Sequence, residues 1–259
     1  MSAPGSFVSI ARSLVCWPLI LLAALFYCSA AIGRSLLGQS LEDVHSAYLG
    51  FGRFCMRAGG IHLIVNGAEH MDARQAYVVV SNHESNWDPL AIIAALPQLA
   101  LRFVAKKQLT KIPLFGRALR VSGNIIVDRD RSGSDLRRIR SQMSVRAEGA
   151  SILFFAEGSR ARDGSFREFK KGAFATALSH ELPILPVATT GTRRTWAPGS
   201  LRLRSGPVAI EIGPPIPVAG LEWSARNGLR DQTHEVVGKL RARARQRLRD
   251  LGVEPGGID

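Results

Sequence analysis

The 259-residue chain opens on one long apolar stretch and then settles into short apolar runs separated by polar turns. From Ser13 to Gly33, SLVCWPLILLAALFYCSAAIG, no charged residue falls between Arg12 and Arg34. Roughly twenty apolar residues are enough to cross a hydrocarbon core. The next segment, LEDVHSAYLGFGRFCMRAGG, carries Val44, Tyr48, Leu49, Phe51 and Phe54 at roughly helical spacing. It stops at Gly59-Gly60, so a helix is expected before that pair. Seven short runs with β-branched residues follow: Ile61–Val65, Tyr77–Val80, Phe103–Ala105, Ile125–Val127, Ile152–Phe155, Ile184–Ala188 and Val208–Ile212. Helical segments lie between several of them, at Leu90–Leu96, Ser134–Glu148 and Gly172–Ser179, and a closing helix is expected over Thr233–Leu251. Buried-type strands alternating with helices predict an α/β fold, with a mixed, mostly parallel sheet flanked by helices behind an N-terminal membrane-anchoring helical segment. The expected division is residues 1–58 for the anchor and the helix after it, and 59–259 for the α/β domain with its basic C-terminal helix.

Composition changes the picture mainly through charge. A hydrophobic share of 46% fits a folded chain long enough to bury a substantial core. Thirty-four basic residues against twenty-one acidic ones give +13, which attracts nucleic acid, anionic membrane surfaces or phosphorylated substrates alike. The apolar N-terminus turns that choice toward a membrane. A cleaved signal peptide is the rival reading, since Ser29-Ala30-Ala31 is small enough for a cleavage site. The stretch is long for that role, and Arg34, Arg53 and Arg57 follow it. Those arginines favour the cytoplasmic face of the inner (cell) membrane for the main domain, with Arg12 weighing against. The arginines of KLRARARQRLRD read either as a nucleic-acid stripe or as a solvated face near anionic lipid. No aromatic residue for base stacking accompanies them, so lipid is the preferred partner and nucleic acid is not expected. Cys16, Cys28 and Cys55 form no C-x-x-C pair, and neither a disulfide framework nor a zinc site is expected.

Candidate chemistry concentrates in SNHESNWDP, between an apolar strand-like run and a helix-like run. Asp88 before Pro89 is a good helix N-cap with proline at the first helical position. The alternative is that the turn folds Asp88 back onto His83. The carboxylate would then hold one ring nitrogen while the other accepts a proton from a substrate hydroxyl. No G-x-S-x-G elbow supplies a protein nucleophile. A His–Asp pair alone suits direct attack by the substrate's own hydroxyl, as in acyl transfer to an alcohol.

Two further segments carry cationic groups beside strands. In FFAEGSRARDGSFREFKKGAF, Glu157, Gly158, Ser159 and Arg160 follow a strand end, where open α/β sheets bind ligands. Gly158 permits close backbone approach, Ser159 offers a hydroxyl and Arg160 can grip a phosphate, although a solvated polar turn has the same composition. Lys170-Lys171-Gly172 adds charge at an expected helix start. In AKKQLTKIPLFGRALRVSGNIIVDRDR, Lys106, Lys107 and Arg129 surround another strand. Arg129 beside Asp128 reads as a surface pair or as a second phosphate contact.

The three segments together, in this order, resemble the family of membrane-bound glycerolipid acyltransferases typified by 1-acylglycerol-3-phosphate acyltransferase. The block N-H-x-S-x-x-D matches Asn82, His83, Ser85 and Asp88. The block G-x-I/L-x-x-D-R matches Gly123, Ile125, Asp128 and Arg129, with A-K-K-x-L at Ala105 to Leu109 and P-x-x-G at Pro113 to Gly116 upstream. The block F-P-E-G-T/S-R matches Phe155, Glu157, Gly158, Ser159 and Arg160, with Ala156 where the family usually has proline. The P-I-x-P-V block appears as Pro183 to Val187, and the resemblance spans about residues 61 to 215. Glu84, Asn86 and Trp87 fill variable positions of the first block.

The resemblance implies transfer of a fatty acyl group from acyl-CoA or acyl-acyl carrier protein to the sn-2 hydroxyl of lysophosphatidic acid, giving phosphatidic acid. It makes His83 the base and Asp88 its orienting carboxylate. Arg129 and Arg160 would hold the acceptor's phosphate, with Glu157 orienting an arginine or the glycerol. Lys106, Lys107 or a backbone N–H near Gly158 would meet the oxyanion. No metal and no organic cofactor is implied, and the partners are membrane lipids and the acyl donor. Three alternatives stay open: another lysolipid acceptor such as lyso-ornithine lipid, a hydrolase using the same base, and a non-enzymatic basic membrane-surface protein.

Overall fold

The computed structural model describes residues 4–127 and 149–255. The expected helix at Ser134–Glu148, together with Asp128 and Arg129, lies outside the described residues. Among the described residues there are seven strands: β1 (Ile61–Asn66), β2 (Val78–Ser81), β3 (Leu101–Lys106), β4 (Ile125–Val127), β5 (Ser151–Phe155), β6 (Ile184–Thr190) and β7 (Gly206–Ile212). They form one sheet in the order β1-β7-β6-β2-β5-β3-β4. Every neighbouring pair is parallel except β6 and β7, which run antiparallel. The expected mixed, mostly parallel sheet is therefore the one found.

Alternation along the central strands explains why both faces are covered. A strand points successive side chains to opposite sides. On β2, Val79 joins one apolar cluster while Val78 and Val80 join the other. Leu153 against Ile152 and Phe154 on β5 divides the same way, as do Leu185 and Val187 against Ile184 and Ala188 on β6. Strands buried on both faces read as unbroken apolar runs rather than as alternating ones. The first cluster lies under α2 (Leu41–Ala58) and α3 (Asp88–Ala95). The second lies under α5 (Gly172–His180) and α7 (Arg226–Asp250). Two shorter helices, α4 (Phe115–Val121) and α6 (Thr192–Thr195), were not expected from the sequence pattern. Each spans two turns or fewer, too short for a helical period to show.

The N-terminal apolar stretch is one helix, α1 (Pro4–Leu36), which runs through Pro18. Its segment Val8–Leu36 is long and apolar enough to cross a membrane, with mean hydropathy 2.2. One side of it faces outward, with Leu14, Val15, Leu21, Leu22 and Phe26 all exposed. The other side is seamed to the domain. The Leu203 N–H donates to Ser13 Oγ at 2.8 Å, and Ser13 Oγ donates to the Ser9 carbonyl. Trp17 Nε1 donates to the Leu201 carbonyl at 2.7 Å. The Trp17 ring meets Trp196 edge-on at 5.0 Å, and Trp196 meets the buried Trp87 at 5.1 Å. A chain of three indoles thus joins the apolar helix to the start of α3. A Ser40–Asp43 capping box begins α2 and fixes the turn between the two N-terminal helices.

The α1 seam yields a direct test. Ser13→Ala leaves the buried Leu203 N–H without its acceptor, which costs about 1–3 kcal/mol. Denaturant titration in detergent should show a loss of that size, and an unchanged midpoint would mean the seam contributes nothing.

Candidate active site

The C-terminal ends of β2, β5 and β6 lie side by side, and a ligand site in an open α/β sheet forms at such ends. Asn82, just past β2, is fixed by a reciprocal pair of bonds. Its Nδ2 donates to the Thr189 carbonyl at 2.8 Å, and the Thr189 N–H donates to its Oδ1 at 2.9 Å. Ser85 Oγ donates to the Trp196 carbonyl at 2.7 Å, and the Trp87 N–H donates to Ser85 Oγ. The turn is thereby tied to β6 and to the loop after α6 before any ionisable group is considered.

Asp88 does not cap α3 in the ordinary forward sense. Trp87 precedes the helix without a side-chain cap, and the carboxylate turns back over the preceding residues. Its Oδ2 accepts the Glu84 N–H at 2.6 Å and the Ser85 N–H at 2.8 Å, and meets His83 Nδ1 at 2.7 Å. An oxygen that already accepts two N–H groups requires a proton on Nδ1, which leaves Nε2 as the basic nitrogen. The Asp88 side chain is 1% exposed and that of His83 17%. The imidazole also stacks on Phe155, with ring centroids 4.0 Å apart and planes 18° apart.

The segment after β5 closes on this turn. Glu157 is buried, and its oxygens accept backbone N–H groups: His83 at 2.9 Å on Oε1 and Arg167 at 3.2 Å on Oε2. The structure thus puts Glu157 on the His83 backbone, in contrast with the arginine or glycerol contact expected of it. Burial pushes its carboxyl up to about 7 against the pull of those two amides, and the Glu84 charge pushes the same way. The His83 carbonyl accepts the Ala161 N–H, so the two segments are bonded in both directions. Gly158 has φ +79°, and a Cβ there would come 2.7 Å from Lys170 Cε, so that lysine lies against the backbone. The Gly158 N–H itself donates to the Phe155 carbonyl, which removes it as an oxyanion donor. Arg160 Nη1 donates to Asn86 Oδ1 at 2.6 Å, and Ser159 Oγ accepts Arg167 Nη1 at 3.3 Å. Lys106 and Lys107 are exposed at the end of β3, one strand beyond β5. Among the described residues, no group of three or more His, Cys, Asp or Glu side chains could hold a metal ion.

One participant was not legible in the sequence. Arg241 of α7 is buried, where a solvated face was expected. Its Nε and Nη2 reach Glu84 Oε1 at 2.9 and 2.7 Å, with side chains 9% and 3% exposed. The pair is 157 residues apart in sequence. The only available signal was Arg241's helical register with the buried Val237, Leu240, Ala244 and Leu248.

Residues 62–190 match the family model described as Acyltransferase. This stretch of the chain is an acyltransferase-family domain. The chain is 34% identical over 158 residues to a 1-acyl-sn-glycerol-3-phosphate acyltransferase of Limnanthes douglasii, covering 61% of this chain and 55% of that protein. It is 34% identical over 164 residues to the human 1-acyl-sn-glycerol-3-phosphate acyltransferase alpha, covering 62% and 57%. The chain therefore spans little more than half the length of these curated relatives. The acyltransferase fold is also that of the crystal structure of the 1-acyl-sn-glycerophosphate (LPA) acyltransferase PlsC from Thermotoga maritima. That match has a TM-score of 0.78 and 25% identity, and covers 90% of this chain and 95% of the other.

The raised Glu157 carboxyl makes stability depend on pH. A group that binds its proton more tightly when folded stabilises fully below its ordinary value of 4.5, and that contribution is lost as pH rises through about 7. The thermal midpoint of Glu157→Gln relative to wild type should therefore climb from about pH 4.5 to about pH 7 and level off above that. A constant difference over that range would contradict the assignment.

Proposed function

We propose that the chain transfers a fatty acyl group from a thioester to the sn-2 hydroxyl of lysophosphatidic acid, giving phosphatidic acid. The observation that carries this reading is the 2.7 Å His83–Asp88 pair inside the region matched by the acyltransferase family model. The names of the relatives point to the same acceptor.

In the proposed mechanism Nε2 of His83 takes the proton from the acceptor hydroxyl as its oxygen attacks the thioester carbonyl. Asp88 keeps the ring in the Nδ1–H tautomer and meets the imidazolium that forms. The tetrahedral oxyanion then collapses, the C–S bond breaks, and the thiolate of CoA or of acyl carrier protein recovers the proton from Nε2. With the Gly158 N–H engaged, the oxyanion would be met by another backbone N–H beside Gly158 or by Lys106 or Lys107. Arg160, steadied by Asn86, would hold the acceptor's phosphate, and Arg129 would be its second contact. This chemistry calls on no metal and no organic cofactor.

Both acceptor and product are membrane lipids, and membrane association follows from α1 with its exposed apolar side. A cytoplasmic-face location rests on Arg34, Arg53 and Arg57 beyond the apolar stretch. The +13 charge would hold such a domain on anionic lipid.

The test uses purified protein in mixed micelles with labelled acyl-CoA or acyl-acyl carrier protein and a panel of lysolipids. Wild type should form phosphatidic acid from lysophosphatidic acid, and His83→Ala should lose at least about 10²-fold, the scale of general-base catalysis. Arg160→Ala should raise the KM for the acceptor about tenfold while the donor KM holds, since one charge-assisted hydrogen bond is lost. Free fatty acid released without an acceptor would show a hydrolase instead. No new diacyl lipid from any lysolipid would overturn the reading.

A further inference from the structure

Besides Asp88, three buried ionisable side chains from three distant parts of the chain gather around the His83 turn. Glu84 comes from the turn after β2, Glu157 from the segment after β5, and Arg241 from α7. Arg241 links the other two segments. While Nε and Nη2 hold Glu84 Oε1, Nη2 also donates to the Gly164 carbonyl at 2.6 Å. Arg245, one turn further along α7, reaches the same carbonyl at 3.4 Å. The Phe166 ring lies against the Arg241 guanidinium, 5.6 Å from its centre.

Glu84 is placed to matter because its backbone N–H is one of the three groups on Asp88 Oδ2. Where the side chain of Glu84 is held, so is that N–H, and with it the direction in which the carboxylate faces Nδ1. We infer that the Glu84–Arg241 pair is a positioning device for the proposed reaction, by which the C-terminal helix fixes the His83–Asp88 geometry. Neither side chain touches the reacting atoms; both act through Asp88. The inference rests on the acyl-transfer reading for its kinetic consequence but not for its structural one. Burial raises the Glu84 carboxyl and the Asp88 charge adds to that, while Arg241 and, more weakly, Arg245 pull it down.

The test compares wild type with Glu84→Gln, Arg241→Gln, Arg241→Lys and the double Glu84→Gln, Arg241→Gln variant in the same mixed micelles. Each rate is taken per folded molecule, with the folded fraction read from thermal melts. The pair as a positioning device predicts that kcat falls at least tenfold in Glu84→Gln and in Arg241→Gln. KM for donor and acceptor should stay within twofold, and the double variant should lose less than the product of the two singles. Arg241→Lys keeps the charge but cannot bind Glu84 and Gly164 through the same fork. It should fall between wild type and Arg241→Gln, and it stands in for any single variant that does not fold.

A second readout needs no substrate. Nitrogen-15 shifts of the His83 ring should report a single Nδ1–H tautomer in wild type and a mixture in the variants. If rates per folded molecule and the tautomer are both unchanged, the pair merely stabilises the fold and the inference is wrong. If wild type transfers no acyl group yet the tautomer responds, the functional reading fails and the positioning device stands.

Discussion

The site depends on one oxygen atom. Asp88 Oδ2 gathers the His83 ring and the N–H groups of Glu84 and Ser85 within 2.8 Å. Those bonds curl the six residues from His83 to Asp88 into a turn that neither a strand nor a helix would form, and they determine which imidazole nitrogen is free. Proline at position 89 fits the same solution, since an N–H in the first turn of a helix has no partner within the helix. Everything else near the site keeps this turn from relaxing. Asn82 ties it to β6, Ser85 to the loop after α6, and Glu157 to the segment after β5.

Holding the turn this way places charge where water is scarce. Glu157 carries two backbone amides yet is still pushed up to about 7, because burial outweighs those bonds. Glu84 keeps a guanidinium as its partner. Buried ion pairs of this kind seldom add net stability over apolar packing, so their retention points to geometry rather than to strength. Ala156, in place of the family's usual proline, fits the same picture. Its N–H donates to the Ser81 carbonyl and its carbonyl accepts the Lys170 N–H, so hydrogen bonds at both ends hold the backbone there.

Much of this was legible in the sequence, and what was not has a physical reason. The seven apolar runs and the polar cluster after the second one report local properties, period and turn chemistry, which a sequence carries directly. The five-residue spacing of His83 and Asp88 is local too, so their contact could be anticipated. The Glu84–Arg241 pair joins residues 157 positions apart, and the arginine sits within a run whose composition looks solvated. Nothing in that run distinguishes Arg241 from Arg243 except its place among Val237, Leu240 and Ala244, which are core residues only once the helix is docked. The Trp17–Trp196–Trp87 chain was hidden for the same reason. It joins three segments, and it makes the apolar helix part of the domain that carries the site.

The central claim is that the Asp88 carboxylate organises His83 as the base. The measurement closest to it is kcat for Asp88→Asn, with the thermal midpoint as a control for folding. The amide can still accept the Glu84 and Ser85 N–H groups, so the turn should persist. It lacks the charge that meets the imidazolium, and kcat should drop by at least about 10³-fold, toward the scale seen when such a carboxylate is removed from a triad. A folded Asp88→Asn protein working within tenfold of wild type would show that the carboxylate is only structural.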